Sequence, residues 1–302
     1  MFSDVQIAYQ ARQAHELAGG EMSNITADQL AAAWKALGPQ LADHIWIATL
    51  PDGTCAAYVE LLHLDDAYMA QIWASSTQAN TDILMPLLAH AEQRARDIER
   101  DEGIESVHLF AQATSFHPAI EQAIKRSGFD ITSTYEHMTL ALEQTPKHPD
   151  AIQGIDIRPF DVHHDAEAVY LADEEAFQDQ RGHTPRTFER WRERLNLQGE
   201  MEKPSRSRIA WAAENVAGVA LVEVIAGTGW IHHLSVRRPW RRRGLGEALM
   251  LFVLGEFHRN GVRSALLNVD AESLTNAHKL YRRLGFRPTH HYSNFQKIVS
   301  LA

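Results

Sequence analysis

Between Leu234 and Met250 the chain reads LSVRRPWRRRGLGEALM. An apolar strand pattern ends, a short basic loop follows, and an amphipathic helix pattern begins. Gly244 and Gly246 stand where loop and helix meet. Glycine there lets backbone N–H groups turn inward with no Cβ in the way. Successive free N–H groups at a helix start form a nest for an anion, and the helix dipole strengthens it. Arg241, Arg242 and Arg243 add fixed positive charge suited to phosphate. The chemistry this segment supports is binding of a pyrophosphate. Its spacing, R-x-x-G-x-G, is neither the G-x-G-x-x-G of dinucleotide folds nor the G-x-x-x-x-G-K-[ST] of P-loops.

This strand–R-x-x-G-x-G–helix unit, with NAHKLYRRLGF at Asn276–Phe286, closely resembles the GNAT superfamily of N-acetyltransferases. The resemblance runs from Ile155 to about Val299 and is specific at Arg241–Gly246 and Ala277–Phe286. It implies that the loop, Leu245 included, holds the pyrophosphate of acetyl-CoA. It also implies that the sheet splays beside the loop, with Leu234, Ser235 and Val236 lining the pantetheine arm.

Acetyl transfer to an amine needs a deprotonated nitrogen, a stabilised carbonyl oxygen and a protonated leaving sulfur. No covalent intermediate is required, so Cys55 is given no nucleophilic role. Tyr281 matches the family tyrosine that gives a proton to the CoA sulfur. Phenol and thiol reference pKa values lie only about 1.5 units apart, so the transfer is feasible. The helical spacing of Ala277, Leu280, Tyr281 and Leu284 also fits a core tyrosine.

For the base, His232 matches a histidine that some members use to take the amine proton, and a pKa near about 6.5 suits that task. Glu223 on the preceding strand is the other candidate. The carboxylate usual on the histidine's own strand is replaced by Trp230. Trp230, His232, Leu234 and Val236 alternate, which places them on one strand face with His233 opposite. Leu274 stands where the family often has asparagine, and neighbouring Ser273 is read as a helix cap. Asp173, Glu174, Glu175, Phe177 and His183 fall in the segment that contacts the acceptor in the superfamily, and the acidic run reads as an exposed helix face. The adjacent pairs His163-His164, His232-His233 and His290-His291 point to opposite faces if in strands, so no metal site is expected.

The elements that must carry these groups follow from periodicity. Strands are expected at Ile155–Arg158, Arg208–Ala213, Val219–Ile225, Trp230–Val236 and Ser264–Val269, with two final strands flanking Tyr292. Helices are expected at Ala166–Phe177, Thr184–Leu197, from Leu245 to Asn260-Gly261, and at Ser273–Leu284. Strands and helices in this order make a layered α/β domain with a mixed, mostly antiparallel sheet flanked by helices.

The first half repeats this order. Its strands are expected near His44–Thr49, Cys55–Leu62, Tyr68–Ala74 and Ser106–Ala111, with a helix at Asp82–Arg100. In both halves a helical pattern stops at Gly-Phe, Gly128-Phe129 and Gly285-Phe286, with a tyrosine six residues on, Tyr135 and Tyr292. This is an internal duplication. The polar, proline-bearing stretch Leu142–Gly154 joins the copies, dividing the chain into 1–145, a linker 146–154, and 155–302. The tandem arrangement is similar in architecture to the mycothiol synthases. The first copy has Ile124 where the second has Tyr281, and SSTQANTDILM, without glycine, where the second has its loop. It is expected to be catalytically inactive.

The 302 residues carry a formal net charge of -10 and a single cysteine. An acidic chain is a poor nucleic-acid binder, and one thiol allows neither an internal disulfide nor a thiolate zinc site. No apolar run reaches membrane-spanning length, and no secretory signal is apparent. The expectation is a cytoplasmic enzyme, monomer or homodimer, that acetylates a small-molecule amine. Acetylation of a protein or peptide is the alternative, and a non-catalytic CoA-binding module is the third.

Overall fold

The computed structural model describes residues 2–19, 25–36, 43–64, 67–75, 77–102, 106–178, 185–197, 206–271 and 277–300. In chain order the first elements are α1 (Phe2–Gly19), α2 (Ala27–Ala36), β1 (Ile45–Thr49), β2 (Cys55–Leu64), β3 (Ala67–Ala74), α3 (Thr81–Glu102), β4 (Ser106–Thr114), α4 (Pro118–Arg126) and β5 (Asp130–Ala141). Then come β6 (Asp156–Pro159), α5 (Val162–Phe177), α6 (Phe188–Leu197), β7 (Arg208–Ala212), β8 (Asn215–Ile225), β9 (Thr228–Val236), α7 (Leu245–Arg259), β10 (Ser264–Asp270), α8 (Ala277–Arg283) and β11 (Arg287–Ser300). Ser273, Leu274 and His183 lie outside the described residues. No described helix is long and apolar enough to cross a membrane.

The chain forms two compact units, Met1–Thr134 with His290–Ala302, and Tyr135–Thr289. In the first, β1 pairs with β2 and β2 with β3 antiparallel, β3 with β4 parallel, and β4 with β11 antiparallel. In the second, β7–β8 and β8–β9 are antiparallel, β9–β10 parallel and β10–β5 antiparallel, with β6 added at the β7 edge. The same succession of pairings in both units is the duplication expressed as topology. Both Gly-Phe pairs end their helices alike. Gly128 and Gly285 take φ of +82° and +96°, and the following Phe129 and Phe286 N–H groups reach back to Ile124 and Tyr281 carbonyls. Such caps require the left-handed conformation that glycine enters without cost from a Cβ.

The compact units are not the two halves of the sequence. The strand that completes each sheet comes from the other half: β11 closes the first unit on β4, and β5 closes the second on β10. Burial explains why. Met138 of β5 is fully buried in the second core, and Phe295 and Val299 of β11 are buried in the first. The boundary expected at 146–154 therefore divides the sequence without dividing the packing. The two strands expected around Tyr292 are one long strand, β11, running through it.

In the second unit β8 shows how layers are built. Ala220 and Val222 face α7 and α8 in one cluster, while Val219 and Leu221 face α5 and α6 in another. Period-two alternation buries both faces of a central strand.

A chain cut within 146–154 separates β5 from β10 and β11 from β4. Neither residues 1–150 nor 151–302 expressed alone should give the cooperative thermal transition of the intact chain, followed by circular dichroism. A C-terminal fragment melting like the intact protein would contradict the exchange of strands.

Candidate active site

The β8–β9 ladder shifts register between Leu221 and Val222: Leu221 faces His233 while Val222 faces Ile231. His232 is thus an extra residue on β9, a β-bulge, and a bulge reverses the alternation beyond it. Ile231, Leu234 and Val236 consequently share the α7 side. Trp230 and His232 stack ring on ring, centroids 5.5 Å apart at 10°, and His233 and Ser235 turn to α5. The face expected from simple alternation, with His232 beside Leu234 and Val236 and His233 opposite, is corrected by this one residue.

Parallel pairing of β9 with β10 ends at Ile231–Leu267, although both strands run on. On the other side, Arg237 N–H donates to Ala217 O. Antiparallel ladders alternate residues that bond inward with residues that do not, so the backbone groups of Leu234 and Val236 point away from β8, to the side β10 has left. The Val236 carbonyl accepts from Arg241 Nε at 2.8 Å. Ser235 was expected beside the cofactor. Its backbone turns to β8 instead, and its hydroxyl donates to Asp173 Oδ1 at 3.0 Å.

After β9 a 3-10 turn, Arg238–Trp240, leads into the loop. Arg241 also donates to Ala176 O at 3.2 Å, and Arg243 reaches Gln153 O at 3.3 Å. Arg241 is half-buried and braces the loop, while Arg242 and Arg243 are both exposed. Arg242 and Gly244 have φ of +60° and +80°. Left-handed residues at every other position curl the backbone N–H groups toward one point. Gly244 is the N-cap of α7 and supplies no side-chain cap, so the first-turn N–H groups lack the usual partner. A Cβ on Gly246 would lie 3.4 Å from Leu280 and 3.8 Å from Val236. These are ordinary van der Waals distances, and they show that α8, β9 and the start of α7 meet at Gly246; Tyr281, next to Leu280 on α8, is buried in the same core. The Tyr281 ring packs edge-on to Phe286, and its hydroxyl has no hydrogen-bond partner among the described residues. Burial pushes its pKa above the ordinary phenol value, so it keeps its proton.

The profile of the acetyltransferase (GNAT) family matches residues 166–286, from α5 to the Phe286 cap. Residues 166–286 form a GNAT acetyltransferase domain. Among solved structures, a GCN5-related N-acetyltransferase from Sphaerobacter thermophilus is 28% identical, with TM-score 0.80, over 99% of this chain and 94% of its own. A tandem GNAT protein from the clavulanic acid biosynthesis pathway shares the fold at 17% identity and TM-score 0.64, over 99% of this chain and 96% of its own. No curated protein matches.

Beside this GNAT domain, the first unit has side chains at the positions that the second leaves without them. Its β3–β4 ladder also ends early, at Ala70–Ala111. There the Ala74 N–H donates to His15 Nδ1 at 3.3 Å, and His15 stacks on His117 at 3.8 Å. The start of α3 is capped by Asn80 Oδ1, which accepts from the Ile83 N–H at 3.1 Å. Ile124, at the place of Tyr281, is fully buried and has no proton to give.

Sequence reasoning passed over Asp173 as part of an exposed acidic face. Each of the three acids is engaged instead, because they sit where α5 meets the end of β9. Glu175 accepts from Arg237 Nε at 2.8 Å and Glu174 from the Arg186 N–H at 3.3 Å. Asp173 is buried and accepts from His233 Nδ1 at 2.7 Å, Ser235 Oγ at 3.0 Å and Trp191 Nε1 at 3.2 Å. A polar pair at i and i+2 on β9, His233 and Ser235, was the available signal, but the bulge hid its direction. His232 Nε2 lies 3.2 Å from Glu223 Oε2 on the same side of the sheet.

Burial raises the Asp173 carboxyl, but the His233 charge and the three hydrogen bonds outweigh it and hold its pKa below the ordinary value. Its stabilising contribution is full above the unfolded carboxylate value, about 4, and fades as pH falls through the lower folded value. Asp173→Asn should therefore lower the melting temperature at pH 7 and narrow the gap to wild type in acid, read from thermal melts across pH 3–7. An unchanged gap would separate Asp173 from acid stability.

Proposed function

We propose that this GNAT protein transfers the acetyl group of acetyl-CoA to a primary amine of a small molecule, by direct attack in a ternary complex. What carries this reading is that, among the described residues, the β9 edge past Ile231 has no strand partner, the start of α7 no side-chain cap, and the Tyr281 hydroxyl on the adjoining α8 no hydrogen bond. The pantetheine amides would add to the edge at Leu234 and Val236 as a further strand does. The pyrophosphate would sit on the N–H groups from Arg242 to Gly246, with Arg242 near enough in sequence to add charge.

The amine gives up its ammonium proton to the face of β8 and β9 that carries Glu223, His232 and His233. Its lone pair then forms the N–C bond to the thioester carbonyl. The C–S bond breaks with its electron pair on sulfur, which takes the Tyr281 proton, and the remaining nitrogen proton restores the phenol. The buried Tyr281 suits this role, since a thiolate formed in the same apolar surroundings is also a stronger base than in water. Cys55 is buried, with its thiol pushed up to about 11 by burial, and is a poor nucleophile, in keeping with direct transfer. Glu223 and His232 are about a fifth and a tenth exposed. A recessed pair of this kind favours a small cationic acceptor over an extended peptide.

Calorimetry should give one acetyl-CoA per chain. Gly244→Asp should abolish binding, because it places bulk and negative charge in the nest and strains a left-handed position by about 1–2 kcal/mol. Two equivalent sites would show the first unit to be open. Tyr281→Phe keeps the ring and should lower turnover by about 10²–10⁴-fold with acetyl-CoA affinity kept. A panel of amines, amino sugars and peptides assayed for CoA release decides the acceptor, and release with peptides alone would favour the protein-acetylating alternative.

A further inference from the structure

Two histidines face the same side of β9, and they are held differently. His232 uses Nε2 on Glu223 and stacks on Trp230. His233 is anchored through the other nitrogen: its Nδ1 lies 2.7 Å from Asp173 Oδ2. The Asp173 carboxylate has only acceptors to offer. Ser235 donates to Oδ1, and Trp191 shares Oδ2 with the histidine. A neutral His233 must therefore carry its proton on Nδ1, which leaves the Nε2 lone pair exposed as the acceptor. Nε2 has no partner among the described residues. The ring is steadied edge-on by Phe177 at 5.3 Å and keeps 12% of its side-chain surface open. It also precedes Leu234, whose backbone faces the gap left by β10.

We infer that His233 takes the proton of the acceptor amine, and that Asp173 and Ser235 are positioning residues that set its tautomer and ring plane. This rests on the acetyl-transfer reading above. The proton passes from the ammonium nitrogen to Nε2 before the N–C bond forms, and His233 returns it to solvent after product leaves. The buried carboxylate stabilises the imidazolium so formed. Among the described residues, the charged and titratable groups on this side of the sheet are Asp173 from α5, which His233 contacts, and the pair of Glu223 from β8 with His232 from β9 itself. Trp191 of α6 contributes only a neutral donor.

The test is kcat/KM against pH for wild type, His233→Gln, His232→Gln, Asp173→Asn and Ser235→Ala. CoA release is followed with the most active amine of the panel or, if none is accepted, with water as slow acetyl-CoA hydrolysis. A base works unprotonated, so wild-type kcat/KM falls as pH drops. His233→Gln should remove that acidic limb and lower kcat by about 10²–10⁴-fold, with acetyl-CoA binding by calorimetry unchanged. Asp173→Asn should lower kcat on a similar scale by fixing the wrong tautomer, whereas Ser235→Ala should keep the limb. His233→Gln alone decides the matter if Asp173→Asn fails to fold. A wild-type limb in His233→Gln, or its loss only in His232→Gln, overturns the inference and leaves acetyl transfer standing. A wild-type protein that neither binds nor turns over acetyl-CoA sinks both.

Discussion

A backbone N–H or carbonyl that leaves a sheet must find another partner or water. After Ile231 this demand governs the second unit. β9 and β10 are paired up to that residue and then part. The bulge at His232 makes the parting possible, because one added residue increases the local twist and ends the match with a straight neighbour. The loop that follows is held at the parted end by Arg241, which ties the Val236 carbonyl to that of Ala176 at the end of α5. A strand edge past its β10 partner and a helix N-terminus without a side-chain cap are thereby set side by side on one short stretch of backbone.

The first unit shows what the same scaffold does when that demand is met internally. Its sheet has the same pairings, and its β3–β4 ladder also stops short. Three side chains then satisfy or erase what the second unit leaves free. His15 accepts from the β3 edge, Asn80 caps the helix start, and Ile124 fills the tyrosine position with hydrocarbon. Each is an ordinary stabilising choice. Together they occupy, in the first unit, the positions that lack such partners among the described residues of the second.

The exchange of β5 and β11 ties the two units into one chain-wide dependency. Each core contains a strand made by the other half of the sequence. The apolar residues of β11, Phe295 and Val299, belong to a core whose other members lie far earlier in the chain. A second copy retained only for its own stability would have no need of such an exchange, whereas a copy that completes its neighbour's sheet cannot be lost without exposing that neighbour's core.

The sequence by itself determined the repeated helix ends and the strand–loop–helix junction at Arg241–Gly246. Gly128-Phe129 and Gly285-Phe286 announce helix ends through a conformation that only glycine enters freely, and R-x-x-G-x-G after a strand has few other uses. These are local signals, and local backbone sterics carry them. Tertiary structure decided the rest. The side to which His232, His233 and Ser235 point depends on a bulge that period-two patterning does not contain. Asp173 looked like part of a solvated acidic run, and it became a buried acceptor because the end of α5 packs over the turned face of β9. The strand exchange was likewise hidden, since the alternation of β11 specifies a buried face but not which ladder it will join. Pairing partners are chosen by three-dimensional fit across many residues, which no single segment encodes.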